Sequence, residues 1–362
     1  MSLAPHLVSL GLAAALPAQL FQGLELVQPM RATDLVGFPN LSYTNAAVFE
    51  VNGMAALDDG QTLVIAKGPF TTGLFASVLG GTPKAIVTAA IDLHGLGYGR
   101  GTLYGFANFG SPMGIYSVSL ATGAKTLELD TSAAGLRFFA LDYDPIDDRL
   151  YGYSEYGSSG LYALDLDTKQ AVRITGPIPA ANTQGRGLAV ANHVVYLTAT
   201  RGADGIPAYA YDLRTGQSGT WLPFTNAYPA EHATGGAAFL EFRQPNLGYR
   251  GPGRLTLSCL GQALAAGKAA TFRLHSTLPN ASGWLLLATT STPTFVAQVN
   301  ATLAAWPPVA AAPVTLDASG WLTVPLRGGA GPVTVYLQAL VADGGVPTGY
   351  AVSNALRVDF LP

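Results

Sequence analysis

Cysteine is nearly absent. The 362-residue chain has one, Cys259, so no intrachain disulfide can form. In RLTLSCLG it alternates with Leu255 and Leu257, which predicts a strand with the thiol on its apolar face. No neighbouring base would make it a nucleophile. Charge is scarce as well: 11% of residues carry it and the net value is −3, against about 25% charged residues in an ordinary soluble domain. Without a block of like charges there is no stripe to track phosphates, which excludes nucleic acid as a partner. Long apolar runs are missing too. Residues 7–18 are almost continuously apolar but fall short of the roughly 20 needed to cross a bilayer. Proline or polar residues interrupt every later run, so no membrane span is expected. The five histidines, His6, His94, His193, His232 and His275, never fall three or four apart, which argues against a zinc site.

What is abundant is punctuation. Forty-three glycines and 24 prolines suit turns rather than long helices. At the N-terminus the apolar run 7–18 is followed by small residues, and we read 1–18 as a signal peptide cleaved after Ala18. The lack of Lys or Arg ahead of the run departs from that pattern, and a buried N-terminal helix is the alternative reading.

Self-comparison shows a repeat. LFASVLGGT (74–82), IYSVSLATG (115–123), LYALDLDTK (161–169) and AYAYDLRTG (208–216) align, and a second landmark precedes each of them: LVI at 63, LYG at 103, LYG at 150, VYL at 195. A leader of mostly small apolar residues comes earlier still: GMAAL from 53, GLGYG from 95, FALDY from 139, GLAVA from 187. With the segment after each TG-type turn, every unit reads as four strands. Units of about 40–50 residues with four strands each are the signature of a β-propeller. Small residues suit the first strand, because several sheets converge on one axis. GGAAFLEF (235–242) opens a fifth unit whose outer strands would come from residues 21–43, and such a closure removes open sheet edges. The expectation is an all-β chain: a five-bladed propeller over 19–244, then an antiparallel β-sandwich over 245–362. The boundary falls in RQPNLGYRGPGR. Seven short runs follow it: RLTLSCLG, ATFRLHST, GWLLLATT, FVAQVNAT, GWLTVPLR, PVTVYLQALV and NALRVDF.

The units around ALDYDPIDDRLYGYSEYGSSGLYALDLDTKQAVRITG resemble bacterial secreted propellers of the YVTN and NHL-like type. The tail WLTVPLRGGAGPVTVYLQALVADGGVPTGYAVSNALRVDF is similar to a C-terminal domain of exported proteins from planctomycete-like bacteria. The first resemblance implies the propeller and is silent on activity, because the fold hosts binders, scaffolds and enzymes. The second implies an extracytoplasmic accessory module. Neither transfers a catalytic residue.

Chemistry-bearing motifs are few. LDYDPIDDR gathers Asp142, Asp144, Asp147 and Asp148 but lacks the glycine and closing glutamate of a calcium loop, so a solvated turn is expected. YGSSG (156–160) is no nucleophile elbow, and GLGYGRG (95–101) opens a strand rather than a phosphate-binding helix. Tyrosines in the repeat landmarks should pack between blades, while Tyr153, Tyr156 and Trp221 fall outside that rhythm and could line a sugar-binding surface. We therefore expect an exported, non-enzymatic binding or cell-surface structural protein with no catalytic residue, metal or cofactor. Its partner is an extracellular ligand, carbohydrate or protein. The alternative is a propeller-axis enzyme such as a lactonase, a lyase or a glutaminyl-cyclase-like cyclotransferase. A ligand would bind at the channel mouth, where loops return to each innermost strand. The repeat alignment puts Asn52, His94, Phe138, Arg186 and Thr234 there, with Arg137, Glu231 and His232 beside them.

Overall fold

The computed structural model describes residues 19–24, 30–34, 41–43, 51–67, 73–78, 83–88, 92–108, 112–177, 187–198, 205–225 and 234–362. Two compact units emerge. The first comprises Met1–Asp144 and Arg149–Leu240, the second Pro145–Asp148 and Glu241–Pro362. All regular structure among the described residues is β.

Among the described residues the first unit is a propeller of five four-stranded antiparallel sheets. Blade one runs outward through Val51–Ala56, Thr62–Lys67, Gly73–Val78 and Lys84–Val87. Blade two is His94–Gly99, Thr102–Ala107, Gly114–Val118 and Lys125–Asp130. Blade three is Phe138–Asp144, Arg149–Ser154, Gly160–Asp165 and Gln170–Thr175. Blade four is Gly187–Ala191, Val194–Thr198, Gly205–Asp212 and Ser218–Thr225. The fifth blade takes its innermost strand, Thr234–Leu240, from the end of the repeat and its outer three, Gln19–Leu24, Met30–Asp34 and Leu41–Tyr43, from the N-terminus. Gln19 pairs with Leu240 and Phe21 with Ala238, so the ring closes by hydrogen bonding between strands far apart in sequence. This is the closure expected from residues 21–43.

The small leader residues are required by the crowding at the axis, where each innermost strand touches those of the two adjacent blades. A Cβ on Gly236 would lie 2.8 Å from Met54 N, and one on Gly97 would meet Asp142 C at 3.1 Å. Farther out, the landmark aromatics fill the space between blades as expected. Tyr104 and Phe106 of blade two pack with Phe138, Leu150 and Tyr162 of blade three, while Tyr151 and Leu161 pack with Val195 and Tyr209 of blade four. Each such side chain taken fully out of water contributes on the order of 1.5–3 kcal/mol. At the rim, Arg100 reaches Asp167 with two parallel bonds of 2.8 and 2.9 Å, and Lys169 meets Glu128 at 2.7 Å.

The aspartates of LDYDPIDDR correct the expectation of a solvated turn: Asp142, Asp144 and Asp148 are buried. The first two belong to the innermost strand of blade three rather than to the turn. Asp142 accepts hydrogen bonds from the backbone NH of Tyr143 (2.8 Å) and, across to blade four, of Val190 (2.7 Å). Asp144 lies 3.3 Å from Nδ1 of buried His193. In the second unit, Asp148 accepts from Asn246 Nδ2 at 3.0 Å.

That second unit is a β-sandwich. One sheet orders Phe242–Arg243, Leu255–Gly261, Ala269–Ser276 and Trp321–Arg327. The other orders Asn246–Gly248, Ala355–Phe360, Val333–Ala342, Ser282–Ala288 and Ala310–Thr315, with Tyr350–Val352 also paired to Val333–Ala342. Their inner faces meet in one core that includes Leu257, Cys259, Phe272, Leu337 and Val358. Cys259 is buried there, as its alternation implied. FVAQVNAT, read as a single strand, is instead a hairpin of Thr294–Val296 and Ala301–Leu303, because Asn300 adopts a left-handed conformation (φ 48°) and turns the chain.

Candidate functional site

The innermost strands start with a repeated irregularity. In blades one, two and three the pairing of the innermost strand slips by one residue at its start, between Val51 and Gly53, His94 and Leu96, and Phe138 and Ala140. In blade five Thr234 pairs with Leu24 and Gly236 with Gly23, which leaves Gly235 as the extra residue. The bulged positions are thus Asn52, Gly95, Phe139 and Gly235. An inserted residue re-aims the side chains around it, and this overturns the placing of Phe138. Phe138 is fully buried, packed edge to face on Phe106 (6.2 Å) and Tyr162 (5.5 Å). Phe139, the bulged residue beside it, is half-buried.

Around Phe139 the structure assembles one cluster from blades two and three. The His94 ring meets the Phe139 ring edge to face with centroids 5.0 Å apart, and Asp92 Oδ1 lies 3.2 Å from His94 Nε2. Tyr156 meets Phe139 at 6.0 Å and is exposed, with 45% of its surface open. The Arg137 guanidinium lies 4.9 Å above the Tyr156 ring, a cation–π arrangement.

Two local devices hold this cluster. Buried Ser154, at the end of its strand, accepts from the backbone NH of Arg137 (3.1 Å) and donates to the carbonyl of Tyr156 (2.8 Å), so one hydroxyl ties both segments together. Gly157 (φ 67°) lets the loop after Tyr156 turn back, and its Cβ position is 2.9 Å from Ala134 O, too close for any other residue. YGSSG is therefore the hairpin loop it resembled in the sequence.

Of the residues placed at the mouth from the repeat, His94 and Arg137 join this cluster. Asn52 sits at the equivalent bulge of blade one, half-buried. Thr234 starts the innermost strand of blade five. Arg186, Glu231 and His232 lie outside the described residues, as does the Trp221 side chain. Tyr153 is corrected: it is 2% exposed, in the core between blades three and four, because it faces inward from the second strand. Tyr156 is exposed, on the loop after the second strand of blade three. Asp92 and Phe139 were missed in the sequence. A signal existed for Phe139, since FALDY places it one residue ahead of the small Ala140 just as Asn52 precedes Gly53. The cluster thus sets the Phe139 and Tyr156 rings edge to face (planes at 66°), with Arg137 over Tyr156 and the His94–Asp92 pair beside Phe139, whose ring also meets Phe106 at 5.8 Å.

No protein-family model matches the chain, and no curated protein matches it significantly. Among solved structures the chain is similar to one from a nidogen–laminin complex, with 10% identity and a TM-score of 0.42 over 62% of this chain and 99% of that one. A gluconolactonase from Xanthomonas campestris gives 14% identity and a TM-score of 0.38 over 96% of this chain and 99% of that one. A protein from Lactobacillus plantarum gives 14% and 0.32 over 95% and 97%. Likenesses this distant carry no argument about activity, and the propeller stands on its own strand pairing.

Proposed function

We propose that the protein is an exported, non-enzymatic binding protein that takes a carbohydrate-like ligand at the mouth of its propeller, between blades two and three. The observation that carries this reading is the exposed ring of Tyr156 beside Phe139, flanked by Arg137 and the Asp92–His94 pair. The C–H face of a sugar ring is apolar and packs on an aromatic face, while charged and polar neighbours take its hydroxyls. Export would depend on residues 1–18. In support, the strand that closes the ring begins at Gln19, directly after the proposed cleavage point.

Calorimetric or array screening of the purified protein against mono- and disaccharides tests the site. Binding that Tyr156→Ala weakens at least about tenfold supports it, and binding untouched by that substitution removes it. Stoichiometric bound metal together with turnover of a lactone substrate would overturn the non-enzymatic reading in favour of a propeller-axis enzyme. Export is tested separately: a chain lacking residues 1–18 should stay in the cytoplasm, and its appearance outside would refute the signal.

A further inference from the structure

Each sheet of the sandwich ends in a short strand on one side, Phe242–Arg243 in one sheet and Asn246–Gly248 in the other. Strands of two or three residues offer little to an incoming partner. The opposite edges are long. Among the described residues Trp321–Arg327 pairs only with Ala269–Ser276, and Ala310–Thr315 only with Ser282–Ala288. Ala310–Pro313 and Thr323–Pro325 are exposed along them. Natural sheets commonly guard such edges with charge. Here charge is scarce: AAAPVT carries none and WLTVPLR only Arg327.

What an edge strand offers follows from its pairing, because bonded positions alternate along an antiparallel ladder. Leu316 NH donates to Ala281 O at 2.9 Å, and the register runs unbroken from Ser282–Thr315 to Leu287–Ala310. Val314, Ala312 and Ala310 therefore bond inward, while Thr315, Pro313 and Ala311 turn their backbone groups to the open side. On the other strand Ser276 NH donates to Gly320 O at 3.0 Å and Gly328 NH to Lys268 O at 2.9 Å. That leaves Trp321, Thr323, Pro325 and Arg327 facing out. Asp317 already closes the first of them: its NH donates to Trp321 O at 2.7 Å, and its Oδ1 accepts from Trp321 NH at 2.9 Å.

The open positions are thus Ala311, Pro313 and Thr315 on one edge and Thr323, Pro325 and Arg327 on the other, with proline central in both. Proline has no N–H to give, and its ring stands where an added strand would lie. An antiparallel partner centred on either edge meets that gap in its middle. When the partner is a second copy of this chain, through the same edge or the other one, proline falls opposite proline and both central bonds are lost.

We infer that Pro313 and Pro325 close the sandwich to strand addition, so that copies of this chain do not join edge to edge through this unit. Neither proline ends a strand or makes a turn, since the ladder continues through both. What each removes is one outward donor. A partner of this unit then has to be met by side chains rather than by an added strand.

Sedimentation velocity of the full chain over about 1–100 μM tests this, with the double variant Pro313→Thr/Pro325→Thr restoring both donors. Compared with the unaltered chain at each concentration, the double variant should gain a dimer or larger species that grows with concentration. Adding Ala311→Lys and Thr323→Glu, which set charge beside each restored donor, should remove that species. Near-UV circular dichroism matching the unaltered chain shows that a variant folds. If the double variant loses that signal, the single variants are read in its place, and loss of the fold in both of them overturns the inference by making the prolines necessary to the strands themselves. A folded variant that sediments as the unaltered chain does also overturns it. So does a new species that survives the added charges, because it forms elsewhere. The same holds if the unaltered chain associates and Ala311→Lys or Thr323→Glu alone breaks that association, because the edges are then open despite the prolines.

Discussion

His94 and Phe139 belong to neighbouring blades and meet ring to ring, centroids 5.0 Å apart with planes at 86°. The residue that permits this contact is Gly95. It adopts φ +48°, and a Cβ there would stand 3.0 Å from the carbonyl carbon and oxygen of Phe139 and 2.9 Å from Leu141 N. Gly95→Ala should therefore cost about 1–3 kcal/mol for the left-handed backbone alone, with steric overlap added to it. A lower denaturant midpoint checks this, and an unchanged midpoint would contradict the account.

Asp142 ties blade three to blade four by accepting from Val190 NH at 2.7 Å in a fully buried setting. Asp142→Ala strands that amide and should destabilise the propeller by about 1–3 kcal/mol. Hydrogen exchange should show Val190 losing protection before amides in blade one, and uniform loss would argue against a local clamp.

Acid should loosen the propeller through its turn carboxylates. Burial pushes Asp165 and Asp212 up. For Asp165 this is outweighed by the Thr168 backbone NH and Arg149, and for Asp212 by the backbone NH and side chain of Arg214. Burial likewise pushes Glu128 up, but its hydrogen bonds to Lys169 and Ser117 leave it lowered. All three therefore stand below their unfolded values. Their contribution is present above the ordinary carboxylate range, about pH 4, and is lost as pH falls through the lowered values. The melting temperature should hold steady from neutral pH down to about 5 and drop below 4, and Asp212→Asn should flatten that drop. A drop of unchanged steepness in the variant would assign the acid sensitivity elsewhere.

In the sandwich, Gln338 is fully buried. Its side chain accepts from Ala304 NH (2.8 Å) and donates toward the carbonyls of Tyr249, Thr302 and Ser353 (3.1–3.2 Å). Gln338→Leu keeps the volume but leaves these groups without a partner inside the fold, a loss of about 3 kcal/mol or more. A stability change under 1 kcal/mol, read from urea unfolding, would mean the network relaxes around the leucine.

Cys259 reports on the same unit. Burial pushes its thiol up to about 12, so a thiol reagent at pH 8 should label the folded protein no faster than the sandwich opens. Labelling that is fast and insensitive to added denaturant would place the thiol at the surface.

The repeat was legible because its causes are local. A four-strand blade needs turns of Asp, Thr and Gly at fixed intervals, and an axis strand needs small residues, so LYALDLDT and GLAVA announce themselves. The seven sandwich runs were legible through alternation and turn spacing, apart from FVAQVNAT. AAAPVT, residues 310–315, was not, since an edge strand of alanine and proline carries neither a β-branched run nor a polar–apolar rhythm.

What the sequence determined on its own was therefore the architecture: the blade period, the closure by the N-terminal segment, the change of fold near residue 243 and the burial of Cys259. The tertiary structure alone decided that Phe138 is fully buried and its neighbour Phe139 only half-buried. A single bulge exchanges Phe138 for Phe139, and a one-residue slip in a strand sends each side chain to the opposite face. It also decided that Asp142 is a clamp rather than a solvated turn residue, because its partner is the Val190 amide of another blade. Contacts between blades depend on where strands land in space, and no spacing along the chain encodes them.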